Sequence, residues 1–116
     1  MKIDDMPAGY KMDLLVTEKV MEWAVIPHLG CALIDDRERP QIGGFAQKRF
    51  HPSTDIASAW EVMEKLKLLV EEITLRWLPG DDEYPSGWFC NGIRPVDTAP
   101  LAICRAALKA VGITEV

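Results

Sequence analysis

The stretch around residues 52–70 constrains the fold more than any other part of the chain. Ile56, Ala59, Trp60, Met63, Leu66 and Val70 recur at intervals of three and four, the spacing that lines one face of a helix. Ser53 stands where an N-cap belongs, because its hydroxyl accepts a hydrogen bond from an orphan amide. Asp55 falls in the first turn, where a negative charge suits the helix dipole. Glu61 and Lys65 form an i,i+4 pair in the favourable order. The pattern predicts a helix over residues 53–69 whose apolar stripe must be covered by something else.

The flanking segments supply that cover. Ile73-Thr74-Leu75-Arg76-Trp77 alternates and predicts a strand with Ile73, Leu75 and Trp77 facing the core. Residues 79–87 hold two prolines, two glycines and three consecutive acids, which reads as a solvated loop. Trp88 to Asn91 then returns, so residues 73–92 are expected to form a hairpin. A further helix is predicted over 97–111, since the proline of Asp97-Thr98-Ala99-Pro100 is tolerated in a first turn. Leu101, Cys104, Ala107, Leu108 and Val111 would make its buried stripe, and Gly112 its stop.

Ahead of these, residues 13–24 predict a helix capped by Asp13. Glu18, Lys19 and Glu22 occupy one narrow arc, and Leu14, Val16, Val20, Met21, Trp23 and Ala24 fill the rest. So wide an apolar arc needs cover on two sides within the domain, or a second chain. Residues 25–50 are punctuated by Pro27, Gly30, Pro40, Gly43 and Gly44 and read as irregular. Short strands are expected at residues 31–34 and 45–50, with a charged turn over 35–39. Binding residues often sit on such segments.

The order helix, weak strands, helix, hairpin, helix predicts an α+β fold: a small antiparallel sheet with a β-hairpin, flanked by about three helices, packed as an alpha-beta-alpha sandwich. The 116 residues fit one domain spanning 1–116, long enough to bury a continuous core. A net charge of −5 without a Lys/Arg cluster argues against general nucleic-acid binding. No run of apolar residues is long enough to span a membrane, and the first residues do not resemble a secretory signal. Three widely spaced cysteines, Cys31, Cys90 and Cys104, fit reduced thiols. A cytoplasmic protein is expected.

Two stretches carry a resemblance. Ser53-Thr54-Asp55-Ile56-Ala57-Ser58-Ala59-Trp60-Glu61-Val62 and Asp97-Thr98-Ala99-Pro100-Leu101-Ala102-Ile103-Cys104-Arg105-Ala106-Ala107-Leu108 resemble paired signatures of the phage ABA sandwich domain family. The run Leu14-Leu15-Val16-Thr17-Glu18-Lys19-Val20-Met21-Glu22-Trp23 is similar to that family's first helix. The resemblance implies an α/β sandwich encoded by phages and prophages, and brings no catalytic residues to carry over.

Helix N-termini attract anions, so Ser53, Thr54, Thr98 and Arg105 would frame a phosphate if the second and third helices start on one side of the sheet. Against this, Asp55 and Asp97 already sit at those positive ends. Cys90, between aromatics, lacks the cation or helix end that lowers a nucleophile's pKa, although His28 or His51 would serve as a base. His28-x-x-Cys31 is half of a zinc site without its second pair, and neither Asp35-Asp36 nor Asp81-Asp82-Glu83 has the spacing of a calcium loop. Trp23, Trp60 and Trp77 fall at core positions, whereas Trp88 is expected to be partly exposed and able to stack a flat ligand, with Arg76, Arg94 or Arg105 holding a phosphate. No cofactor or metal is expected.

The sequence therefore predicts a non-enzymatic phage or prophage accessory protein that acts by binding. One version is a homo-oligomer capturing a small anionic ligand, such as a nucleotide of host-defence signalling, at Ser53, Thr54, Thr98, Arg105, Trp88 and Arg76. The alternative is a protein–protein interaction module that binds a host or phage protein through an apolar face and residues 25–50. A small enzyme is the third reading.

Overall fold

Residues 102–108 are buried without a break, which makes α3 (Ala99–Ala110) the element around which the rest is arranged. This computed structural model describes residues 1–23, 25–28, 31–35, 47–83, 85–92 and 95–116, with the side chains of 25–28, 31–35 and 47–49 outside that description. Thr98 caps α3, its hydroxyl accepting from the Leu101 amide at 3.4 Å, and Pro100 lies in the first turn. At the far end Gly112 takes φ +87°. The Ile113 amide then reaches the Leu108 carbonyl and the Gly112 amide the Lys109 carbonyl, a Schellman closure. Of the expected stripe, Cys104, Ala107 and Leu108 are fully buried and Leu101 and Val111 only partly. Ala102, Ile103 and Ala106 are buried as well, because the helix is enclosed on several sides.

α2 (Ile56–Leu66) packs against α3. Its N-cap is Asp55, not Ser53: an Asp55 carboxylate oxygen accepts from the Ser58 amide at 2.9 Å. A turn comes first, in which the amides of Thr54 and Asp55 both donate to the His51 carbonyl, and this pushes the helix start two residues beyond Thr54. The buried row is Ser58, Ala59, Val62, Met63 and Leu66. Ile56 and Trp60, expected inside, are each 54% exposed. The helix has turned its smaller residues toward an alanine-rich neighbour, where close approach gains the most contact. It ends at Leu66, ahead of the expected residue 69.

The first helix also differs from expectation. α1 (Tyr10–Leu15) begins at Tyr10, so Asp13 lies inside it, buried, instead of capping it. The helix continues as a widened turn, Val16–Val20, in which the Met21 amide bonds the Val16 carbonyl five residues back. The Thr17 hydroxyl donates to the Asp13 carbonyl at 2.6 Å, a back-bond that competes with the regular ladder. Glu22, at φ +58°, turns the chain away before residue 24. α1 lies against β2 and the widened turn against α2 and α3, so the wide apolar arc is covered within the domain.

β1 (Val25–His28), β2 (Cys31–Asp35) and β3 (Gln47–Phe50) form an antiparallel meander in that order. Val25 stands opposite Ile34, and Ala32 opposite Phe50. β1 was not expected, since Pro27 reads as a breaker. It sits on an edge strand, where a missing N–H is tolerated. The turn predicted over 35–39 lies beyond residue 35 and outside the described residues. Phe50 is fully buried, with Trp23 edge-on to it at 5.0 Å.

β4 (Leu75–Leu78) and β5 (Gly87–Cys90) make the predicted hairpin, Leu75 opposite Cys90 and Trp77 opposite Trp88. The fold is thus α+β, with this small antiparallel sheet flanked by three helices. α3 lies against β5, so the inner face of the hairpin is covered at Cys90 and Leu75 but left half open at Trp77, which is 50% exposed and not the core residue expected. On the far side of β5, Val96 exchanges two backbone hydrogen bonds with Trp88, of 2.7 and 2.9 Å. Gly87 allows this approach, because a Cβ there would lie 2.8 Å from the Val96 carbonyl oxygen. The chain ends pair too, with Lys2 opposite Glu115 and buried Ile3 donating to the Thr114 carbonyl at 3.0 Å.

Candidate functional site

Ser53 and Arg105, the central members of the phosphate frame read from sequence, are engaged inside the protein. The Gly9 amide donates to the Ser53 hydroxyl at 2.9 Å, and the Ser53 amide donates to an Asp13 carboxylate oxygen at 2.8 Å. The Arg105 guanidinium, nearly buried, donates to the Met6 carbonyl at 2.8 Å and so ties the N-terminal segment to α3. Thr54 and Thr98 are exposed, and the Thr98 hydroxyl caps its own helix. These four residues therefore engage separate structural partners.

Asp13 is the residue that the sequence reading misplaced most. Burial pushes its carboxyl above the ordinary carboxylate value, while the Ser53 amide and hydroxyl and the charge of His51 pull the other way. Its charge also reaches Cys104, whose thiol is raised, chiefly by burial and further by Asp13. Burial pushes the Cys90 thiol up to about 11, so at neutral pH it is protonated, the opposite of an activated nucleophile. Asp55 lies on the other side of the ledger: the Ser58 hydrogen bonds lower its pKa. Among the described residues, no three His, Cys, Asp or Glu side chains converge as a metal site. The His28 and Cys31 side chains, Asp35-Asp36 and Arg94 lie outside the description.

The aromatic candidates lie on the hairpin. Trp77 meets Trp88 edge-on at 5.8 Å, and the Arg76 guanidinium lies over the Phe89 ring at 5.6 Å from its centre. Trp88 is partly buried, as expected. Beside the hairpin, a groove of about 640 Å³ runs between the C-terminal half of α2 and β4. Trp60, Met63, Val70, Ile73 and Leu75 give it an apolar floor, and Glu64, Lys67 and Glu71 stand along its rim. Lys67 is paired with Glu64 at 3.1 Å. Across α2 a second hollow of about 390 Å³ lies between Trp23 and Leu68, and Leu68 is 80% exposed. The periodicity that marked Trp60 as apolar was legible. Which way the helix would face was not.

Fold and sites together define a small α–β sandwich with an apolar groove along one helix, and, among the described residues, no assembled catalytic set. Over residues 14–108 the sequence matches the phage ABA sandwich domain, and the chain belongs to that family of bacteriophage and prophage proteins. No curated protein and no solved structure matches it. No helix among the described residues is long and apolar enough to cross a membrane.

Proposed function

We propose that this phage domain acts by binding, as a protein-interaction module whose contact site is the groove between α2 and β4. One observation carries the reading: Trp60, a residue type enriched at the centres of interfaces, stands half exposed on the wall of an apolar groove. Trp77 and Leu68 extend the exposed apolar surface on either side of α2. Such surface on a small domain marks an interaction site. The groove offers a charged ligand one lysine, already paired, and two glutamates, a poor cradle for an anion.

The test is a photo-crosslinking phenylalanine analogue at Trp60, expressed in the bacterial host, with the same residue at Glu115 as control. A discrete protein adduct from position 60 and none from 115 is expected. Equal labelling from both positions would sink the reading. A second reading, capture of a nucleotide by a homo-oligomer in the host cytoplasm, draws support from Arg76 over Phe89 beside the Trp77–Trp88 pair, a flat cationic and aromatic platform. Native mass spectrometry separates the two: a multimer retaining a nucleotide mass favours the second.

A further inference from the structure

The hydrogen-bond pattern of the hairpin leaves one edge open. In an antiparallel strand the N–H and C=O of a residue point to the same side, and consecutive residues alternate sides. Trp88 spends both groups on Val96, so they point away from β4. Its partner Trp77 must likewise point away from β5. The Asn91 amide bonds the Thr74 carbonyl at 3.1 Å, which fixes the same alternation: residues 74, 76 and 78 face β5, and Leu75 and Trp77 turn their peptide groups outward. Among the described residues, no hydrogen bond reaches that outer side. Pro79, which has no N–H, closes the open stretch just after β4.

This edge borders the apolar groove, since Leu75 lines it. Acids stand at both ends of the strand, Glu71 and Glu72 before it and Asp81 and Asp82 after it, all exposed. They discriminate between occupants. A second copy pairing β4 with β4 about a two-fold axis would run antiparallel and set the acidic start of one strand against the acidic loop of the other, which is repulsive. A basic segment finds attraction at both ends.

We propose that the open edge of β4 takes up an extended, basic segment of a partner protein as an added strand, its apolar side chains entering the groove beside Trp60. The proposal rests on the groove reading above and adds the mode and the chemistry of the partner. Main-chain hydrogen bonds to Leu75 and Trp77 supply affinity, and alternate side chains supply selectivity. Arg76 lies on the opposite face, over Phe89, and leaves the groove side free of positive charge from β4.

The experiment uses the whole chain and a blocked octapeptide of alternating valine and threonine with lysines at both ends. Binding is followed by titration, and amide hydrogen exchange is read residue by residue. The expected result is at least about tenfold slower exchange at the Leu75 and Trp77 amides on saturation, with Arg76 little changed because it is already bonded to β5. Replacing the lysines by glutamates should weaken binding by about tenfold or more. N-methylating every valine in one peptide and every threonine in another removes the N–H groups of each register in turn, and one of the two should abolish binding. Trp77→Pro should do the same from the protein side, since proline is accepted on a strand edge. Binding that survives both N-methylated registers but is lost in Trp60→Ala would overturn strand addition while keeping the groove. No binding at about 1 mM peptide would overturn the peptide proposal. Crosslinking from position 60 then decides separately whether the groove is an interface.

Discussion

The buried carboxylate of Asp13 should reveal itself through two substitutions that separate its acceptor from its charge. Asp13→Asn keeps an oxygen for the Ser53 amide, now 2.8 Å away, and removes the charge. Asp13→Ala removes both. The difference between the two variants is therefore the cost of leaving a buried N–H without a partner, about 1–3 kcal/mol. Alanine recovers roughly 0.5 kcal/mol through helix propensity, which leaves about 0.5–2.5 kcal/mol. Unfolding entropy per residue converts 1 kcal/mol to about 4 °C for a chain of this size, so Asp13→Ala should melt roughly 2–10 °C below Asp13→Asn.

The charge shows in the pH dependence. Burial raises the folded pKa of Asp13 above the ordinary 3.8. A raised folded value means that the stability contributed by the protonated form is fully present below the unfolded pKa and is lost as pH climbs through the folded one. The native protein should thus lose stability relative to Asp13→Asn as the pH rises above about 4, and the two should converge in acid. Thermal melts by circular dichroism across that range give both numbers. Coincident melting of the Asn and Ala variants at pH 7 would refute the Ser53 hydrogen bond as a stabilising contact. Parallel pH profiles for Asn and native protein would refute the penalty on the buried charge.

Three other outcomes follow from the packing. Gly87→Ala should destabilise by about 1–3 kcal/mol, because the new Cβ meets the Val96 backbone and not a yielding side chain, and urea midpoints at unchanged slope would register it. Arg105→Ala should lower stability by about 1.5–3 kcal/mol through loss of the Met6 bond; an unchanged melt would show the tie to be dispensable. Cys90 and Cys104 should resist an alkylating reagent at pH 8 in the native protein and react on unfolding, as read by peptide mass mapping, and rapid native labelling of either would contradict their burial.

Much of the architecture is written in local signals. Pro100 and Gly112 bracket α3 by chemistry that acts within a turn, and the alternation at residues 73–77 gives β4 because strand period is a local property. Local chemistry failed where a distant residue took over a group. Asp13 and Ser53 each look like N-caps, and each is claimed by the other across 40 positions, so both helices start elsewhere. Arg105 looked available because a lone arginine in a helix usually is. Its partner is a backbone carbonyl 99 residues away.

The outward placement of Trp60 has a cause that periodicity cannot contain. A helix carrying Trp60 in one row and Ser58, Ala59, Val62 and Leu66 in the next has two faces it can bury. The choice falls to the neighbour. α3, against which α2 packs, buries Ala102, Ala106 and Ala107, and small residues on both helices let the axes approach and gain more contacts than a tryptophan wedged between them would allow. That choice sends Trp60 outward, toward the side where Leu75 lines the groove and Trp77 is half open. The exposed tryptophan, the apolar groove and its open strand edge therefore all lie on one side of the domain, where no neighbour among the described residues competes for them. That side is where a partner has the most to gain.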